Sequence, residues 1–455
     1  MNTPILAIDI GSTKICAIIG EVKDGSVDIS GHGIVKSQGI KKGIITNIQL
    51  ASKAIKKSVD DAKRVAGLNL SLANISMSGA YTKSVNATGV VNIPSGEISI
   101  TEINRVMQTA LYNANIPNEF EILHVLPYKF KIDEQDFIDD PNGMNANRME
   151  VDVHIIMTAK SNLGNLKKAV NAAGIEINKV VLSGYASSIA VVSDADKDRG
   201  VAIIDLGGET SNLVVHVGNS IQYNDFLAVG SNHITNDLSI ALHTPLDSAE
   251  LLKVTEGTLL ESESGEIELP IIGDEKNMNV VSLDIAQNII YSRMEETLNI
   301  LANSLAKSEL ADQLGSGIVL TGGMTKIPGT RELAQALIPN IPIKVAQPEN
   351  ILNVVDDLNS PEFSTAIGLL YYGSGKHTEY ELDGAKNMLH SKEYKPKNSV
   401  ADLANYNMDK PKVSVSTPSF SDEADNDLFK DLSKEPKKDQ NNPLQNFVQW
   451  ASKIF

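Results

Sequence analysis

Val201-Ala202-Ile203-Ile204-Asp205-Leu206-Gly207-Gly208-Glu209-Thr210-Ser211 is an apolar run that ends in an aspartate, a glycine pair and three hydrogen-bonding side chains. A second apolar run, Leu213-Val214-Val215-His216-Val217, follows at once. The pattern predicts two strands joined by a tight turn, in which Gly207 and Gly208 remove any Cβ clash. Backbone N–H groups in such a turn can approach a phosphate closely, and Thr210 and Ser211 add hydroxyl donors. Asp205, at the strand end, is placed to hold a hydrated metal ion bound to those phosphates. Taken alone, such a stretch is more often an ordinary polar hairpin.

The N-terminus carries the same order again. Ile5-Leu6-Ala7-Ile8-Asp9-Ile10-Gly11-Ser12-Thr13-Lys14 leads into the strand-like Ile15-Cys16-Ala17-Ile18-Ile19. One such unit opening each half of the chain predicts a duplicated α/β fold in two lobes, whose facing hairpins grip one polyphosphate.

Bulk properties agree with a nucleotide binder. A chain of 455 residues holds more than one domain, and a net charge of −17 argues against a nucleic-acid partner. The single cysteine, Cys16, excludes an intrachain disulfide and suits a reducing compartment. It is expected to be a small apolar residue in a buried strand. Asp9 interrupts the first apolar run, which counts against a signal peptide, and no apolar stretch is long enough to span a bilayer. The expected location is the cytoplasm.

Elsewhere, periodicity predicts a helix over 44–65 and a strand ending at Ser78-Gly79. An α+β insert is expected over 85–160, with a helix capped by Thr101 and strands over 120–132 and 148–158. Its histidines, His124 and His154, lack metal-ligand spacing and are expected to pack structurally. Helices follow over 163–173 and 186–192, and another carries Glu250 and Lys253, whose i, i+3 spacing alone suits a surface ion pair. A strand pair at 266–270 and 278–281 precedes a long helix over 283–307. Ile318-Val319-Leu320-Thr321-Gly322-Gly323-Met324 is a strand running into a double glycine, a candidate flat wall beside a base. Ser364-Thr365-Ala366-Ile367-Gly368-Leu369-Leu370 is a small-residue helix suited to close packing between domains.

Two Asp-x-Gly hairpins, the double-glycine turn and the two helices at 186–192 and 364–370 form an ordered set. The set resembles the actin-like ATPase superfamily and, within it, the FtsA family of bacterial cell-division proteins. The likeness covers about residues 1–373 and the last helix. It implies an actin-like (ribonuclease H-like) fold with one core subdomain at 1–84 and 161–195 and an FtsA-type insert subdomain at 85–160. The second core subdomain would lie at 196–235 and 306–373, with a nucleotide-side and partner-binding subdomain at 236–305.

The resemblance implies ATP contacts from Ser12, Thr13, Lys14, Gly207, Gly208, Glu209, Thr210 and Ser211. Asp9 and Asp205 would organise Mg²⁺ through water, and Glu250 and Lys253 would meet the ribose and base edge. Thr321, Gly322, Gly323 and Met324 would flank the adenine. Where clearly hydrolysing relatives carry a water-positioning Glu or Gln, this chain has Ser183-Gly184-Tyr185. Serine is a poor general base, so hydrolysis is expected to be slow or absent.

Residues 374–442 are rich in Lys, Asp, Ser, Asn and Pro and read as a disordered linker, with a mean reach of about 45 Å. The chain ends in residues 443–455, where Leu444, Phe447, Val448, Ala451, Ile454 and Phe455 share one helical face with Trp450 at its margin. A helix of about 20 Å is too short to cross a bilayer and suited to lie in its surface. A single helix of this size binds weakly, so several copies in a filament would be needed for firm attachment.

The resemblance implies a protein that polymerises on the inner membrane and tethers the FtsZ ring through that protein's C-terminal peptide, docked on 236–305. The insert would face neighbouring subunits or later division proteins. An actin-like pilus-assembly scaffold and a small-molecule kinase of the same fold remain as alternatives.

Overall fold

The computed structural model describes residues 3–390, apart from 219, 262, 263 and 353–357. The first lobe carries a six-stranded sheet in the order Glu176–Leu182, Leu72–Met77, Ile5–Ile10, Lys14–Lys23, Ser26–Lys36 and Ile351–Leu352. The second carries Ser220–Leu227, Ser211–Val217, Val201–Leu206, Ile318–Thr321 and Ile343–Val345. In each lobe three antiparallel strands from consecutive hairpins are extended on one side by two parallel strands, and the first lobe adds Ile351–Leu352, parallel to Ser26–Lys36, on the other. The order of the five strands common to both lobes is the same, so the duplication expected from the two hairpins is a duplication of topology.

Two buried helices, Ser183–Val191 and Ser364–Gly373, join the lobes. A Cβ added at Gly368 would lie 1.7 Å from the Ala186 carbonyl oxygen, so the helices cross with backbone nearly touching backbone. That contact is why the second helix is built from small residues. One apolar core fills the first lobe and runs through both connecting helices onto Val201, Ile203, Val214 and Val319 of the second lobe's sheet; two further cores fill the rest of the second lobe and the insert.

The insert is a five-stranded sheet of Thr82–Asn92, Arg148–Ala159, Phe120–Ile132, Gln135–Ile138 and Leu382–Asp383, with helix Ile100–Asn113 packed on it. Ser99, not Thr101, caps that helix. Its hydroxyl accepts from the Thr101 N–H while Glu102 reaches back to the Ser99 N–H, a reciprocal pair that a Thr101 cap cannot form. Likewise the first long helix begins at Ile48, because Ile44–Ile45 pairs with Ile40–Lys41 and Asn47 supplies the cap.

Residues 374–390 depart from the expected linker. Tyr380, Leu382 and Leu389 are buried, and Leu382–Asp383 adds a strand beside Val125 and His124. Glu381 is fully buried at the junction of the first lobe, the insert and both connecting helices. One of its oxygens meets His124 Nδ1 at 2.6 Å and accepts from the Tyr372 hydroxyl at 2.8 Å; the other accepts from Tyr185 at 3.0 Å. The Leu182 N–H donates to His124 Nε2 at 3.1 Å, which leaves Nδ1 as the proton carrier toward Glu381. His154, also buried, places its ring nitrogens 2.7 and 2.8 Å from the side-chain oxygens of Asn86 and Asn224. Both histidines are therefore structural. Cys16 is fully buried, and burial pushes its thiol up to about 12, which fits an inert core residue.

Replacing Glu381 with Ala leaves a buried imidazole N–H and the buried Tyr372 hydroxyl without their acceptor, while Tyr185 keeps Thr378 Oγ1 at 3.0 Å. Each stranded group costs about 1–3 kcal/mol. E381A is therefore expected to lower the thermal midpoint by several degrees, and a chain ending at residue 373 to lose at least as much; unchanged melting of both would refute the role given to this segment.

Candidate functional site

The two hairpin turns share one geometry. Gly11 N–H donates to the Lys14 carbonyl at 3.1 Å and Gly207 N–H to the Thr210 carbonyl at 2.9 Å, so Ser12-Thr13 and Gly208-Glu209 form the tips. The tips meet: a Cβ at Gly208 would stand 1.8 Å from Thr13 Oγ1. This close approach explains a glycine at 208 better than turn conformation does. Ser12 Oγ accepts from the Gly43 N–H at 2.8 Å and keeps its own proton to donate.

Beneath the tips lie Asp9 and Asp205, each at a strand end. Burial pushes the Asp9 carboxyl up, opposed by the Ser76 hydroxyl at 2.8 Å and the charge of Lys14. Burial also raises Asp205, to about 6, and the negative charge of Asp9 is the next largest cause. A half-buried carboxylate, Asp9, and a buried one, Asp205, that repel one another form a donor set that suits a hard, hydrated divalent cation. Among the described residues no cluster of three potential ligands exists, so such an ion would take its remaining ligands from water and a bound phosphate.

The double glycine closes over Asp205. Gly322 has φ +90°, and a Cβ there would lie 2.5 Å from Asp205 Oδ1. Gly323 is open apart from Glu362 Cβ, 3.4 Å from its Cβ position, and offers a flat backbone surface. Thr321 and Met324 are placed differently from the sequence expectation. Both are buried; Met324 lies in the second lobe's core, and the Thr321 hydroxyl pairs with Ser364 at 2.7 Å. Any part they play beside a base falls to their backbone.

Ser211 is another correction, because its buried hydroxyl donates to the Val229 carbonyl at 2.8 Å and anchors the hairpin. Thr210 stays half-buried at the turn. The Glu209 carboxylate accepts from the Lys42 N–H, tying the second tip to the first lobe. An anionic side chain there leaves only its backbone N–H for a phosphate.

Helix Ser231–Leu242 starts at the second hairpin, where Ser231 and Asn232 N–H groups donate to the carbonyls of Gly207 and Gly208 at 3.0 and 2.7 Å. Lys253 is 6% exposed, and its Nζ donates to Glu250 at 2.6 Å, Thr235 at 2.9 Å and the Ser231 carbonyl at 3.3 Å. Lys253 is thus built into the wall behind the hairpin, while the Glu250 side chain stays 47% exposed at its edge. Burial pushes the Lys253 ammonium below its usual range, opposed by Glu250.

Ser183 donates its hydroxyl to the Met77 carbonyl at 3.0 Å, so its proton is already used. Asn212 escaped the sequence reading. It lies opposite Asp205 in the hairpin register, is 6% exposed, and packs against the Cβ position of Gly184. Its side-chain oxygen is buried without a protein hydrogen-bond partner. The signal was present, since the hairpin pairing fixes which residue faces the aspartate.

A family model described as the SHS2 domain inserted in FtsA matches residues 79–157, and one described as cell division protein FtsA matches 202–368. FtsA of Helicobacter pylori strain J99 is 40% identical over 412 residues, covering 83% of each chain. This chain belongs to the FtsA family. FtsA of Escherichia coli K12 is 30% identical over 393 residues, 84% of this chain and 93% of that protein.

Among solved structures, the PilM-PilN type IV pilus biogenesis complex aligns with a TM-score of 0.59 at 16% identity, covering 82% of this chain and 99% of that one. MreB5 of Spiroplasma citri bound to ADP aligns at 0.50 and 13%, with 81% and 95% covered. The MamK double helical filament aligns at 0.50 and 12%, with 81% and 98% covered. At such identities these likenesses establish the actin-like fold and no more. The FtsA insert matched at 79–157 is the sheet of Thr82–Ala159 described above, here completed by Leu382–Asp383 from the far end of the body.

A carboxyl raised on folding binds its proton more tightly in the native state, so native stability falls as pH rises from about 4 to about 6 and stays reduced above. The Asp205 shift corresponds to at most about 3 kcal/mol. Ligand-free D205N should therefore melt higher than the wild type at neutral pH, with the difference vanishing near pH 4. Calorimetry showing no such convergence would refute the assigned strain.

Proposed function

We propose that this FtsA protein binds Mg²⁺–ATP between its two hairpins, assembles on the inner membrane and tethers the FtsZ ring there. The meeting of the two tips above the paired aspartates carries the nucleotide reading. Backbone N–H groups at 12, 13, 208 and 209, the Ser12 hydroxyl and the Lys14 ammonium would hold phosphates. Asp9 and Asp205 would hold Mg²⁺ through water, which also relieves their mutual repulsion. The ADP named with MreB5 supports the choice of ligand, and the filament named with MamK supports self-association.

Turnover is expected to be slow. Ser183 gives its proton to Met77, and a lone amide oxygen at Asn212 can orient a water without deprotonating it. Grip on the nucleotide, more than its chemistry, would then set the shape of the body for assembly.

The 236–305 subdomain supports docking of the FtsZ C-terminal peptide. Leu251 and Val254 on helix Leu246–Glu256, and Ile272, Met278 and Val280 on the hairpin of Glu266–Ile271 and Asp274–Ser282, are all more than half exposed. Several exposed apolar side chains within one subdomain support a partner site here. The expected membrane contacts at 444–455 lie outside the described residues, and no helix among those described is long and apolar enough to cross a membrane. PilM's likeness, at 16% identity, gives the pilus-scaffold alternative the fold alone, against 40% identity to FtsA.

Liposome co-sedimentation with ATP and labelled FtsZ C-terminal peptide tests the whole reading. The full chain should carry peptide into the pellet, and a chain ending at Asn442 should leave it in the supernatant. Met278→Glu, a change at an exposed position, should weaken peptide binding more than about tenfold while leaving liposome binding intact. Equal pelleting by full and shortened chains would remove the membrane role, and undiminished peptide binding by M278E would remove this docking face.

A further inference from the structure

Glu362 stands in the short turn Pro361–Phe363, immediately before the second connecting helix. One carboxylate oxygen meets Lys14 Nζ at 2.9 Å, and the other meets Lys326 Nζ at 3.2 Å. Lys14 comes from the first lobe's hairpin and Lys326 from the turn Gly323–Lys326 of the second lobe. A single carboxylate therefore ties both sides of the cleft to the helix that hinges them. Lys14 also lies 3.6 Å from the centroid of the Phe363 ring, and its side chain is only 20% exposed. The ammonium that the nucleotide reading gives to a phosphate already has an anion and an aromatic face. Burial would push the Glu362 carboxyl up, but Lys14 and Lys326 together hold it below its usual value, so it is charged at neutral pH.

We propose that Glu362 is a specificity residue of the nucleotide cleft, an internal anion that occupies Lys14 until a ligand's phosphates displace it. The proposal rests on the nucleotide reading. A phosphate in contact with Lys14 would sit within about 6 Å of the carboxylate, close enough for the two anions to repel. Only a ligand that brings phosphate charge to Lys14 must meet that cost; a nucleoside, which never reaches Lys14, does not. Glu362 thereby raises the threshold for ligands that bring phosphate to Lys14, leaves nucleosides unaffected, and links release of the Lys14 tether to arrival of phosphate.

Calorimetric titration of the full chain with Mg²⁺–ATP and, separately, with adenosine tests this. Glu362→Gln keeps the shape and removes the charge. It should tighten ATP binding by about three- to tenfold, the scale of one partly exposed ion pair, and leave adenosine unchanged. Glu362→Asp, whose shorter arm cannot span both lysines, should fall between. In a Lys14→Ala background the gain from E362Q should vanish. ATP affinity in E362Q equal to or below wild type, an equal gain for adenosine, or a gain that survives K14A would each overturn the proposal while leaving the nucleotide reading standing. Wild-type protein without saturable ATP binding would overturn that reading and the proposal with it.

Discussion

The whole body is arranged around the electrostatic cost of placing Asp9 and Asp205 together beneath the hairpin tips. Water would relieve each carboxylate singly; burial of Asp205 and half-burial of Asp9 limit that, and their shared sign adds to the cost. Each lobe contributes one carboxylate, so relief depends on how the lobes stand to each other. The Gly368–Ala186 crossing fixes that relation at the hinge, with backbone against backbone and little room to slide. The connecting helices thus hold a repelling pair in place, and a cation between the carboxylates would turn repulsion into cohesion. A site of this kind senses its ligand through the spacing of the lobes.

Much of this was legible in the chain. The two Asp-x-Gly stretches announced themselves because a strand's period, a turn's glycine and a strand's return all fall within about fifteen residues. Hairpin pairing even placed Asn212 across from Asp205, although nothing in the sequence alone said that its amide oxygen would lack a partner. Helix starts were less legible. Asn47 and Ser99 set them through hydrogen bonds that compete with apolar periodicity, and periodicity carries no information about which residue stops donating to the helix.

Long-range polar contacts were not legible at all. Lys14 and Glu362 are 348 positions apart, and His124 and Glu381 are 257 apart. Residues 374–390 look like linker because their composition is polar; they are ordered because a few spaced apolar residues and one buried carboxylate find partners folded hundreds of residues earlier. Ser211 and Met324 show the converse. Both sit in a binding-type motif, and both side chains serve the scaffold that holds the motif's backbone in shape.

The ordered stretch to His390 also fixes a mechanical route. Any pull on the chain beyond it enters the body at the strand Leu382–Asp383 on the edge of the insert, not at the end of the second connecting helix. From there the load path runs through Glu381 to Tyr185 and Tyr372, one on each connecting helix, and through His124 to the backbone of Leu182, the residue before the first. The hinge of the two lobes is thus directly in line with tension on the tail. The insert is thus bonded directly to the helices that join the lobes.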